Sequence, residues 1–104
     1  MVQDIYIIDD KGQFIEQCKE IFKDEKYKFN TIHCKDLEVA LNNIPSMIIV
    51  DDDNTEMLAK DICEKIRTNE DNSITPIIVI SSNSDKNYRL EIFKYSILYY
   101  LFLF

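Results

Sequence analysis
The chain has 104 residues, 46% of them hydrophobic, with 19 acidic against 12 basic side chains and a formal net charge of −7. That length supports one modest core in one domain, and the composition is that of a globular chain rather than a disordered one. The acidic balance argues against a nucleic-acid or anionic-membrane surface, both of which need a basic footprint, and favours metal cations or a basic patch on a partner protein.

Apolar runs alternate with helix-period segments along the chain. "IYII" (5–8) is a short continuous run, as in a strand covered on both faces. Phe14, Ile15, Cys18, Ile21 and Phe22 then recur with the spacing of an amphipathic helix. "KFNTIHC" (28–34) predicts an edge strand, and Asp36 a cap for a short helix carrying Leu37, Ala40, Leu41 and Ile44. Pro45 marks a break before the second buried strand, "MIIV" (47–50). Leu58, Ala59, Ile62, Cys63 and Ile66 give the next helical stripe, and "TNEDNS" reads as a polar loop. Pro76 opens the strand "IIVI" (77–80), Ser84 predicts a cap for a helix carrying Leu90, Phe93 and Ile97, and "YYLFLF" (99–104) reads as a last strand.

The order βαβαβαβαβ implies a parallel sheet with helices on both faces. Sheets of this kind bind ligands outside the carboxyl ends of their strands. Asp9 and Asp10 follow the first strand, Asp51 to Asp53 the third, and Ser81 and Ser82 the fourth, so all of them fall on one rim. Converging carboxylates repel one another, and a hard dication such as Mg²⁺ removes that repulsion. It also clamps a phosphoryl group against an attacking carboxylate, while a hydroxyl such as Ser81 holds a phosphoryl oxygen. Taken singly, "DDDN" after a strand is more often a solvated turn; the shared rim gives it weight.

The chain resembles the receiver domain of bacterial two-component response regulators, on "IYIIDDKGQF", "SMIIVDDDNTEMLAKDICEKIR" and "PIIVISS". The resemblance covers essentially all of residues 1–104 and implies one receiver domain, truncated at its C-terminus. The implied fold is flavodoxin-like: a doubly wound, five-stranded parallel sheet of order 2-1-3-4-5, helices on both faces, the final helix missing. The resemblance makes Asp9 and Asp10 metal-binding carboxylates. With Ile62, Cys63, Ile66 and Arg67 in register on the family's third helix, it makes Asp51 the phosphoacceptor and a further metal ligand. Asp53 then supplies a backbone carbonyl to the Mg²⁺, Ser81 is the switch hydroxyl and Tyr100 the switch aromatic. The implied partners are a sensor histidine kinase and a C-terminal output domain in a longer native protein. This domain is then a phosphoacceptor rather than an enzyme, and makes no contact with nucleic acid or membrane. The sequence departs from the family at Leu103 and Phe104, where the family keeps Lys and a cis-Pro, and at Thr55, where it keeps Pro.

Two rivals stay open. A pseudo-receiver has the same fold and serves only docking or dimerisation. "IIVDDDNT" also fits the D-x-D-x-T pattern of haloacid-dehalogenase-type phosphatases, with Asp51 as nucleophile and Asp53 as general acid. The aromatic cluster at 93–104, with no fifth helix over it, predicts a homodimer. Cys18, Cys34 and Cys63 are odd in number and lack C-x-x-C spacing, so they read as small core residues of a reducing compartment. "MVQDIYII" carries an acid where a secretory leader has a positive region, and the apolar tail is too short to cross a bilayer. The expected location is therefore the cytoplasm. His33, the lone histidine, has no second His to build a catalytic or zinc constellation with.

Overall fold
Branched side chains fit a pleated surface, and the isoleucine- and valine-rich runs form the middle of a sheet for that reason. The computed structural model describes residues 2–21, 23 and 26–102, with the backbone alone at Ile21. The strands are β1 (Gln3–Ile8), β2 (Tyr27–Ile32), β3 (Met47–Asp51), β4 (Ile77–Ser81) and β5 (Tyr99–Phe102). They pair in parallel in the order β2-β1-β3-β4-β5. The connecting helices are α1 (Phe14–Ile21), α2 (Leu37–Ala40), α3 (Ala59–Thr68) and α4 (Lys86–Phe93). The five-stranded order expected from the sequence is the one observed.

Side chains alternate across the sheet and build two cores of unequal size. Ile8, Ile48, Val50, Ile77 and Val79 face one way, packed with Leu37 of α2, Ile62, Cys63 and Ile66 of α3, and Ile92 of α4. Ile5, Ile7, Ile49 and Ile80 face the other way against Cys18, Phe14 and Ile15 of α1. The second face leaves an apolar cavity of about 320 Å³, bordered by Phe14, Cys18, Met47, Ile78 and Leu101. All three cysteines are buried and free, and burial pushes the Cys18 thiol up to about 11 and the Cys63 thiol up to about 12. They are core residues and not thiolates. No helix among the described residues is long and apolar enough to cross a membrane.

Several local expectations shift. Strand β2 ends at Ile32, and Cys34 enters a 3₁₀ turn (Cys34–Asp36) that leads into α2. The Asp36 side chain makes no capping bond, α2 is only one turn long, and Ile44 is exposed beyond it. Leu58 is the exposed residue before α3 rather than part of its stripe. The cap of α4 is Asp85, not Ser84: its carboxylate accepts the amides of Asn87 (2.8 Å) and Tyr88 (3.1 Å). Leu90 and Phe93 are consequently exposed, and Tyr88 and Ile92 face the core. The polar loop 68–73 contains a 3₁₀ turn (Glu70–Asn72) with Asn72 fully buried. Leu103 and Phe104 lie outside the described residues.

Arg67, at the end of α3, ties together the loops at the end of the sheet opposite the acidic rim. Its guanidinium donates to the carbonyl oxygens of Tyr95 (2.7 Å), Thr75 (2.7 Å), Asn72 (3.1 Å) and Ser96 (3.2 Å). The planar fork matches carbonyls arriving from two loops, including Ser96 in the left-handed region at φ 57°. Arg67→Met keeps the apolar stem but leaves those carbonyls without their donor. We expect a loss of about 2–3 kcal/mol in chemical denaturation; an unchanged midpoint would contradict this role.

Candidate functional site
Parallel register decides which rim residues meet. Ile8 pairs with Val50, so Asp9 and Asp51 leave adjacent strands at the same level. Asp51 pairs with Ile80, so Asp52 lies level with Ser81. Parity then assigns the faces: Asp9 and Asp51 follow the α1 side of the sheet, while Asp52 and Ser81 follow the α3 and α4 side.

Asp9 is fully buried, and its carboxylate accepts four backbone amides: Lys11 (2.9 Å), Gly12 (3.0 Å), Gln13 (3.1 Å) and Phe14 (3.1 Å). Gly12 sits at φ +65°, which curls the loop so that successive N–H groups converge on the anion at the start of α1. Asp10 turns the other way and accepts the amides of Glu56 (2.7 Å) and Cys34 (2.9 Å), with His33 Nδ1 3.6 Å away. Burial pushes its carboxyl up, but those hydrogen bonds outweigh burial and hold it below the usual carboxylate range.

Asp51 is buried, 3% exposed, and accepts a 2.8 Å hydrogen bond from Asn54 Nδ2. Burial lifts its carboxyl to about 6; the charges of Asp9 and Asp53 add to the rise, and the Asn54 hydrogen bond opposes it. A cleft of about 190 Å³ reaches Asp51 between Gln13, Phe14, Gln17, Asp53 and Asn54. This is a basic, recessed carboxylate with one small opening, suited to nucleophilic attack on a compact electrophile.

The other rim residues bond elsewhere. Ser81 Oγ is fully buried and donates to Asp52 Oδ2 at 2.8 Å, not to Asp51. Tyr88 OH lies 2.8 and 2.7 Å from the two oxygens of the same carboxylate. The Asp53 carboxylate accepts Ser82 N (3.1 Å) and Ser82 Oγ (2.9 Å). Tyr100 OH donates to the Asn83 carbonyl at 2.7 Å, and burial raises its phenol. Asn54, Asp52 and Tyr88 are the site residues that sequence reasoning missed. An inward stripe of Tyr88 and Ile92, four residues apart, was the available signal.

The donor chemistry fits a hard dication, since the repulsion between Asp9 and Asp51 that raises the latter is what a cation relieves. Even so, among the described residues no three His, Cys, Asp or Glu side chains stand together closely enough to hold a metal. Asp9 and Asp51 adjoin, whereas Asp10 is drawn toward Cys34 and Glu56, and Asp53 toward Ser82.

No protein-family model matches the sequence, and no curated protein does. The solved structures similar to this chain are signal receiver domains. A signal receiver domain of a histidine kinase from Clostridium thermocellum has a TM-score of 0.84 at 21% identity, over 98% of this chain and 86% of that one. The phosphorylated cyanobacterial phytochrome response regulator has a TM-score of 0.85 at 12% identity, over 98% and 81%. The receiver domain of a sensor histidine kinase from Pseudomonas aeruginosa, with a magnesium ion in its active-site cleft, has a TM-score of 0.78 at 16% identity, over 98% and 85%. The fold is therefore that of a receiver domain.

The Asp51 carboxyl has a consequence for stability. The folded form keeps its proton up to about pH 6, while the unfolded carboxyl releases it near 3.8, so the folded state binds more protons in between. Ionising Asp51 therefore lowers stability as pH rises through that window. Asp51→Asn removes the slope and is expected to gain about 1–3 kcal/mol at pH 7. Thermal unfolding of both proteins in chelator, from about pH 4 to 7, measures the difference; a mutant advantage that does not grow with pH would contradict it.

Proposed function
We propose that this chain is a phosphoacceptor receiver module that takes a phosphoryl group on Asp51 from the phosphohistidine of a sensor histidine kinase. The observation that carries the reading is Asp51 itself: a buried carboxylate raised to about 6, at the carboxyl end of the central strand, with a small cleft leading to it. The neighbours' roles in two-component signalling support the same class.

In the proposed reaction an Asp51 carboxylate oxygen attacks the phosphorus. The P–N bond breaks, its electron pair leaves with the imidazole, and an acyl phosphate remains on Asp51. Asn54 orients the nucleophile by holding one oxygen, and Phe14 and Gln17 border the opening through which the phosphoryl group reaches Asp51. Asp9, whose carboxylate accepts four backbone amides, lies beside Asp51, and its charge adds to the rise of the Asp51 carboxyl. Mg²⁺ would be held by Asp9, Asp10, Asp51 and the backbone carbonyl of Asp53 once Asp9 and Asp10 exchange backbone amides for the cation, and would supply neutralisation of the phosphoryl and carboxylate charge. Ser81 and Tyr100 are proposed as the groups that respond to the new anion, and an output domain or partner as what reads the response. The cytoplasm is the proposed location.

Two observations weigh against the phosphatase alternative. The Asp53 carboxylate, which that chemistry needs as a general acid, is held by Ser82, and the acidic pair follows β1 rather than β4. Acetyl phosphate with Mg²⁺ is expected to add a single phosphoryl group by intact mass, and Asp51→Asn to add none. Equal labelling of that mutant would remove the assignment, and wild-type protein that stays unlabelled would favour a docking module.

A further inference from the structure
The carboxylate next to the proposed acceptor is fully engaged, and it is engaged with α4. Asp52 accepts Ser81 Oγ and Tyr88 OH at 2.7–2.8 Å. A serine hydroxyl has one proton. One of its two lone pairs accepts Asn83 N at 3.0 Å, so the proton is what the hydroxyl has to give. Ser81 therefore donates to Asp52 or to an anion on Asp51, and not to both. The same contacts secure the segment after β4: Tyr100 holds the Asn83 carbonyl, Ser82 is held by Asp53, and Tyr88 lies in the first turn of α4. The other contacts of α4 are the packing of Ile92 and the Tyr88 ring in the larger core and an exposed Lys60–Glu91 ion pair to α3 at 4.0 Å. Of its eight residues only Ile92 is fully buried, with Leu90 and Phe93 exposed.

We propose that Asp52 is a latch: its carboxylate holds the Ser81 and Tyr88 hydroxyls and so keeps α4 against the sheet, and a phosphoryl group on Asp51 opens it. The opening has two physical sources. The new dianion competes for the single Ser81 proton, and its charge repels the neighbouring Asp52 carboxylate. Tyr88 then loses a partner fixed by Ser81, and the first turn of α4 loses its charge-assisted tie to the rim. The inference rests on Asp51 as phosphoacceptor and adds the residue through which occupancy of Asp51 reaches α4. Asp52 is a positioning residue: it acts through Ser81 and Tyr88 and takes no part in the transfer.

Hydrogen exchange over residues 82–93, read by mass spectrometry, tests this with beryllofluoride and Mg²⁺ as the phosphoryl mimic. In the absence of mimic, Asp52→Ala is expected to exchange the α4 amides about tenfold faster than wild type, and Tyr88→Phe to lie between them. Saturating mimic should speed wild-type exchange to the Asp52→Ala level and add nothing to that variant. This loss of response is what a purely structural contact would not produce. Slow α4 exchange in both Asp52→Ala and Tyr88→Phe overturns the latch, as does a wild-type α4 that ignores a mimic bound at Asp51. Should Asp52→Ala fail to fold, Tyr88→Phe alone decides, since it leaves every carboxylate in place. Mimic binding is scored separately by fluorine NMR. If none binds, the phosphoacceptor reading fails and the coupling fails with it, a result distinguishable from a latch that is absent while the mimic is bound.

Discussion
In a β-strand, consecutive side chains leave on opposite faces, and the rim of this protein depends on that alternation at one dipeptide. Asp51 continues the face of Ile49 and meets Asp9 under α1; Asp52 continues the face of Val50 and meets Ser81 and Tyr88 under α3 and α4. A one-residue slip of β3 would exchange the two environments. Such a slip would also turn Ile49 and Val50, both buried, to the wrong cores, so apolar packing fixes the division of the acids. Burial and chemistry are coupled at this point: the residues that secure the register also decide which carboxylate is raised and recessed and which is tied to α4.

The three consecutive aspartates thus have three different surroundings. Asp51 has burial and a neighbouring anion, which make it basic. Asp52 has two hydroxyl donors, and Asp53 has a serine amide and hydroxyl. The repulsion expected of such a run is eased by distributing the carboxylates between the faces and supplying donors to each. Asp9 follows the same pattern: with Gly12 left-handed, four amides turn onto it, so the oxygens of a fully buried carboxyl group are all partnered at the start of α1.

Much of this was legible in the sequence. The continuous apolar runs 5–8, 47–50 and 77–80 marked the buried strands, and their acidic or serine ends marked the rim. The α4 helix was less legible because two apolar stripes overlap in it. Leu90 with Phe93 and Tyr88 with Ile92 both have helical spacing, and shifting the cap from Ser84 to Asp85 rotates the buried face by about 100°. The partner of Ser81 was illegible for a different reason. It depends on the pairing of β3 with β4, a tertiary register that neither strand states alone. Asn54 and Tyr88 entered the site through that same long-range geometry.

The division of labour within "DDD" is best tested where the covalent bond forms. Borohydride reduces an aspartyl phosphate to homoserine, which marks the acceptor permanently. Peptide mapping of wild-type protein phosphorylated with acetyl phosphate and then reduced should find homoserine at position 51 alone. Homoserine at position 52 or 53 would contradict the assignment of the basic, recessed carboxylate as the acceptor.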